Sequence, residues 1–205
     1  MKYESFLGHR KSTFRETLKW INDNKNSKRT FTIVELGTSR SFKSWGISDN
    51  EKDWFPNNPE RWAWSDGFFT RFMADNLEGS NFIIYTIDPC NKAIKVVKTA
   101  CGHIPQVKIL QTTSTEFLKN FNEKIDLLYM DHLESGPEAC QVHLDDSKLV
   151  IEKDLMNDKS IILIDDTPIM NGLNNSKGHL SIPYLKSQGY ETILHEYQLL
   201  LSKGD

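Results

Sequence analysis

The 205-residue sequence predicts an α/β fold: a mainly parallel sheet with helices on both faces and an antiparallel strand pair at its C-terminal end. Three observations predict it. Short apolar runs recur along the chain, and three of the four that follow the first strand end in aspartate. Helix-like segments separate these runs, as the crossovers of a parallel sheet require. The last two apolar runs have only His195 between them, too little chain for a crossover helix.

The elements follow in order. Over about 12–24, "STFRETLKWINDN" is amphipathic, with Phe14, Leu18 and Ile21 at helical intervals and Thr13 and Glu16 at capping-box spacing. "TIVEL" (32–36) is a short apolar strand, and "GTSRS" a Gly- and hydroxyl-rich turn. Residues of about 44–72 break the alternation and hold Trp45, Trp54, Trp62 and Trp64, four of the five tryptophans. A loop of this length is more often a lid or binding loop than a plain connector; a satellite aromatic core is the competing expectation. "FIIYTID" (82–88) is the second strand, followed by a helix in "CNKAIKVVKTACG" that Gly102 closes. "VKILQ" (107–111) precedes a helix with Thr113 and Glu116 at capping-box spacing. "IDLLYMD" (125–131) precedes a helix opened by Pro137. In "SIILIDD" (160–166) an unbroken Ile-Ile-Leu-Ile run has no polar face, so both sides of that strand are expected to be buried. "YETIL" and "EYQLLLS" form the closing pair. A single domain over 1–205 accounts for the length, without repeats or low-complexity tracts.

Composition narrows the function. Lys plus Arg total 25 against 28 Asp plus Glu, for a net charge of −3 without a single-sign block, so no nucleic-acid footprint is expected. No apolar run approaches a membrane span and the first residues lack a signal-peptide core, which predicts a cytoplasmic protein with no membrane partner. Cys90, Cys101 and Cys140 lack metal-ligand spacing and read as reduced thiols.

Parallel sheets bind ligands at the carboxyl ends of their strands, where this sequence gathers its polar groups. Gly37 follows the first strand and would let backbone approach a ligand, with Glu35 just inside the strand end. Asp88 ends the second strand, where a carboxylate can accept both hydroxyls of a ribose; it would serve equally as a helix cap. The adjacent Asp165 and Asp166 repel each other at a buried strand end, so a cation is expected beside them. The alternative is that Asp166 caps a following turn and Asp165 points to solvent. His143 and His179 read as a helix-face and a loop residue.

Taken in sequence, "IVELGTSRS", "IYTIDP", "VKILQTTSTEFL", "IDLLYMDHLES", "IILIDDTP" and the terminal strand pair resemble a class I S-adenosylmethionine-dependent methyltransferase. The similarity is nearest to the metal-dependent O-methyltransferases of sugars, natural products and catechols. It implies a Rossmann-like, seven-stranded sheet. It also implies that Glu35, Gly37, Thr38 and Ser39 hold the methionine part of the cofactor, that Asp88 holds its ribose, and that Thr113 and Ser114 contact its adenine. Asp131 would also lie beside the cofactor and, with Asp165 and Asp166, bind Mg²⁺ or another divalent cation, which prefers such oxygen ligands. The turn departs from relatives in lacking a second Gly, and "SDGFF" (65–69) is placed to complete the cofactor loop from its far side.

The implied reaction is transfer of a methyl group to a hydroxyl of a sugar, glycan or small hydroxylated molecule. The metal would chelate and acidify the hydroxyl. Asp131 is the first candidate base, from the resemblance, and His132 the second, from its near-neutral pKa. Trp54, Trp62 and Trp64 are candidates for the acceptor pocket, and a homodimer is consistent with relatives. Two rivals stand beside this reading: a hydroxylase-like oxidoreductase, and a non-catalytic cofactor-binding module. An iron oxygenase wants two His and one carboxylate, whereas this site offers three Asp.

Overall fold

The computed structural model describes residues 1–24, 28–43, 50–64, 67–79, 81–168 and 176–204. Trp45 and Ser65 therefore lie outside the described residues, as does the start of the aromatic stretch. Seven strands form one sheet: β1 (Phe31–Leu36), β2 (Phe82–Ile87), β3 (Val107–Leu110), β4 (Ile125–Met130), β5 (Met156–Ile164), β6 (Tyr190–His195) and β7 (Leu199–Lys203). Their order is β3-β2-β1-β4-β5-β7-β6. The first five run parallel, and β7 pairs antiparallel with both β5 and β6.

Every residue of the central strands β1 and β4 is buried, because helices cover both faces. Side chains alternate between two cores, as the two-residue strand period demands. Ile33, Leu127, Ile161 and Leu163 pack with Phe14 and Leu18 of α1 (Lys11–Asn24), Phe69 and Phe72 of α2 (Phe69–Asn76), and Val96 and Val97 of α3 (Asn91–Cys101). Val34, Leu128, Ile162 and Ile164 pack with Phe117 of α4 (Ser114–Asn120), Val150 of α5 (Pro137–Glu152), and Ile182 of α6 (Ser181–Ser187).

Several boundaries differ from the sequence expectation. A 3-10 turn over Gly8–Arg10 leads directly into α1, so the helix starts at Lys11 and Thr13 lies within it. The Thr13 hydroxyl bonds the Gln198 side chain and the Arg10 carbonyl instead of capping. Strand β5 begins at Met156 rather than at 160, its polar start being partly exposed. Helix α2 emerges from the end of the aromatic stretch, and α6 carries Pro183 in its first turn, where the missing N–H costs no helical bond. Thr113 does cap α4, its hydroxyl accepting from Glu116 N at 3.2 Å.

Candidate functional site

Strand order reverses direction between β1 and β4, so the ends of these strands border the crevice where sheets of this kind bind ligands. Gly37 lies there with φ +86°. A Cβ at Gly37 would come within 2.6 Å of the His132 Cα and N, so it is the β4 end, not only a ligand, that demands glycine. This close approach sets the turn beside Asp131.

Asp88 continues β2 on the α1–α3 side and is only 8% exposed. Its Oδ2 accepts from Thr38 N at 3.2 Å and its Oδ1 from Cys90 N at 2.8 Å. The carboxylate thus ties the Gly37 turn to the approach of α3, and each oxygen retains a lone pair for a ligand hydroxyl. This arrangement fits a ribose. Ser39 is buried, and its hydroxyl accepts from Phe68 N at the start of α2. A Cβ on Gly67 would lie 3.1 Å from Ser39 Oγ and 3.9 Å from Asp131 Oδ2, so the far end of the aromatic stretch does reach the site.

Glu35 is placed differently from expectation. It is buried on the α2 face, where the Thr70 hydroxyl donates to Oε2 at 2.6 Å and Thr86 to the same oxygen. Burial pushes its pKa up to about 7 against these two bonds. It holds α2 on the sheet. Thr113 is exposed and engaged in its cap, while Ser114 is buried in the first turn of α4.

The three carboxylates expected to hold a metal do converge. One oxygen each from Asp131, Asp165 and Asp166 lies within 4.8 Å of the others. Strand parity sends Asp131 and Asp165 to the same face. Asp166 joins them through a left-handed backbone, φ +50°, which aspartate tolerates better than most residues.

The expected cation is also present, in the chain itself. Arg10 donates from Nε to Asp165 Oδ1 at 3.1 Å and from Nη2 to Oδ2 at 2.5 Å. Lys177 Nζ lies 2.7 Å from Asp131 Oδ1, 3.0 Å from Asp166 Oδ2 and 3.3 Å from the Asp131 carbonyl. Gln198 donates to Asp165 Oδ1 at 2.6 Å, Tyr129 to Asp131 Oδ2 at 3.1 Å, and Tyr197 to Asp166 Oδ1. Every oxygen of the three carboxylates therefore has a donor from the chain. A Mg²⁺ ion needs those oxygens at about 2.0–2.1 Å and does not fit while Lys177 holds its place.

Charge explains the protonation pattern. Burial alone would raise Asp131, but Lys177 and Arg10 outweigh it and hold the carboxyl below the usual carboxylate range. Burial and then the neighbouring Asp131 push Asp165 up to about 6. Burial opposes the Lys177 charge, yet the surrounding carboxylates outweigh that penalty and keep it protonated, so it is a fixed cation and not a base.

Three candidates leave the site. His132 follows Asp131 by one residue and so points to the opposite side, where it stacks on His143 with centroids 4.1 Å apart. Its Nε2 lies 3.2 Å from Asp146 Oδ2. Burial, then the adjacent His132, hold His143 neutral. Trp62 and Trp64 are 5% and 1% exposed and pack with Phe42 and Phe68, so they are core residues rather than pocket walls. Trp54 lines an open groove with Glu51, Pro56, Lys95, Lys98 and Thr99.

No protein-family model matches the chain, and no curated protein matches its sequence. Solved structures do match its shape. The N-methyltransferase NodS from Bradyrhizobium japonicum WM9, in complex with S-adenosyl-L-homocysteine, is 10% identical, with a TM-score of 0.57 over 97% of this chain and 89% of that one. A candidate rRNA methylase from Clostridium thermocellum is 13% identical, with a TM-score of 0.55 over 92% and 95%. A candidate O-methyltransferase from Nostoc punctiforme PCC 73102 is 8% identical, with a TM-score of 0.57 over 95% and 57%. Likeness at these identities bears on the fold, and with the strand order above it establishes that this chain has the α/β Rossmann-like methyltransferase fold.

Proposed function

We propose that the protein is an S-adenosylmethionine-dependent O-methyltransferase acting on a hydroxylated small molecule or glycan, with a sugar as the first acceptor to test. The observation that carries this reading is the meeting of the Gly37 turn, Asp88 and Asp131 at the β1/β4 crevice of a methyltransferase fold. When bound, the cofactor supplies a methyl group activated by a sulfonium. Asp88 would accept the ribose hydroxyls, and Thr38 and Ser39 would border the methionine end. The NodS structure, which contains S-adenosyl-L-homocysteine in the same fold, supports a cofactor of this class.

The neighbours include an N-methyltransferase as well as a candidate O-methyltransferase, so the acceptor is read from this chain's own side chains. Asp131 and Asp166 keep 18% and 24% of their side chains exposed, and both are acceptor-only carboxylates. Such a pair suits hydroxyl donors. Asp131 would orient the acceptor hydroxyl and receive its proton; His132 is directed elsewhere. Mg²⁺ has no part in this reading, because Lys177 already occupies the place between Asp131 and Asp166 and each carboxylate oxygen already has a donor from the chain, while a second lone pair stays open to a hydroxyl.

Calorimetric titration of S-adenosylmethionine tests the proposal. The wild type is expected to bind, and Asp88→Ala to weaken binding by about 10-fold or more, as loss of a buried charge-assisted contact predicts. Radiolabelled methyl transfer to a sugar panel then identifies the acceptor. A wild type that binds neither S-adenosylmethionine nor S-adenosylhomocysteine sinks the reading.

A further inference from the structure

The carboxylate cluster poses a problem of charge. Asp131, Asp165 and Asp166 together carry three negative charges at a largely buried strand end, and Asp165 is fully buried. Arg10 cancels one, through its paired contact with Asp165. The remaining two belong to Asp131 and Asp166, and between these two sits Lys177, itself 3% exposed. An ammonium has three N–H donors, and three oxygens surround this one. Lys177 is thus fully coordinated and lies between the two carboxylates, 2.7 Å from Asp131 Oδ1 and 3.0 Å from Asp166 Oδ2.

We propose that Lys177 is the resident cation of this site, standing where a divalent ion would otherwise be needed, so that the cluster works without metal. The charge balance supports this directly. With Arg10 and Lys177 in place, the five groups sum to −1, and a divalent ion would turn this to +1 while competing for oxygens already bonded. Removal of the Lys177 charge leaves −2, which one divalent ion neutralises. A fixed ammonium also has a chemical consequence. Unlike a metal it cannot chelate two vicinal hydroxyls and acidify one, so the acceptor need not carry such a pair.

Mn²⁺ titration followed by loss of the free-ion paramagnetic resonance signal tests this without requiring any activity. It is run on the protein alone, so the outcome does not depend on whether S-adenosylmethionine binds. The wild type is expected to show no saturable binding up to about 10 mM, and Lys177→Met to bind at least about 10-fold more tightly, since the freed oxygens form a hard-ligand set. Lys177→Met combined with Asp166→Asn restores the net charge and should again bind no ion. Saturable wild-type binding that Asp166→Asn abolishes overturns the proposal, as does a folded Lys177→Met protein with no gain in Mn²⁺ affinity. Should Lys177→Met fail to fold, the wild-type titration decides alone: a flat curve supports the proposal, and binding lost with Asp166→Asn refutes it.

Discussion

Glu35 illustrates how a single side chain sets a pH response. It is 2% exposed, and burial lifts its pKa from 4.5 to about 7 in the folded protein. The folded state therefore retains a proton that the unfolded chain has already released, so stability is greatest below the unfolded pKa and falls as pH rises through this window. The loss between pH 4.5 and 7 should be roughly 3 kcal/mol, at about 1.4 kcal/mol per pKa unit. Urea midpoints measured across that range should fall for the wild type and stay flatter for Glu35→Gln; parallel curves would assign the pH response to other groups. The position of Glu35 near a strand end was legible in the sequence, but its partners were not, since Thr70 and Thr86 come from α2 and β2. Asp88, Asp131 and Asp165 were legible for a simpler reason: each ends an apolar run, and strand parity puts all three on one face. Arg10 and Lys177 left no such trace. One precedes α1, 155 residues from Asp165, and the other lies in a loop, 46 residues from Asp131, the more distant of the two carboxylates it meets. The need for a cation could be inferred from the Asp pair, whereas its identity depended on how distant segments pack.

The turn after β1 is the element on which the site's geometry depends. Gly37 and Gly79 have similar backbone angles, φ +86° and +80°, but different surroundings. A Cβ at Gly79 meets nothing within 4 Å, while at Gly37 it meets the His132 backbone at 2.6 Å. Both alanine variants should pay a backbone strain of order 1–3 kcal/mol. Gly37→Ala should lose about 2 kcal/mol more than Gly79→Ala, because the obstacle is backbone and cannot rotate aside. Denaturation of the two variants measures the difference, and equal losses would remove the close approach as the reason for this glycine. Gly37→Ala should also weaken cofactor binding, since Thr38 N would be displaced from Asp88. At this scale the sequence specified strands better than helices. Short apolar runs marked all seven strands, four of them closed by Gly or Asp, but α2 was hidden by the aromatic residues around it and α6 by its internal proline.

The whole molecule is joined across the site by its first ten residues. Tyr3 stacks on Trp64 with centroids 4.2 Å apart, and its hydroxyl donates to Asp75 at 2.7 Å. His9 stacks on Tyr197, and Arg10 crosses to the end of β5. This segment thus connects the aromatic region, the carboxylate cluster and the strand pair, and Arg10 is the contact whose loss should be felt most. Arg10→Ala strands Asp165 in a fully buried position without its partner, a change that typically costs about 3–5 kcal/mol. Much of that cost comes from the orphaned charge rather than from the lost bond, so Arg10→Ala with Asp165→Asn should be more stable than Arg10→Ala alone. Acidity should have the same effect as the second substitution. Asp165 already titrates at about 6 against the pull of Arg10, and without that pull its pKa rises further. The folded variant would then bind a proton that its unfolded chain lacks, and its deficit against the wild type should shrink as pH falls from 8 to 5. Urea denaturation of the four proteins of this double-mutant cycle at both pH values measures each of these differences. A deficit that is independent of pH, and unrelieved by Asp165→Asn, would mean that Arg10 stabilises the fold through its packing on Tyr197 rather than through the Asp165 charge.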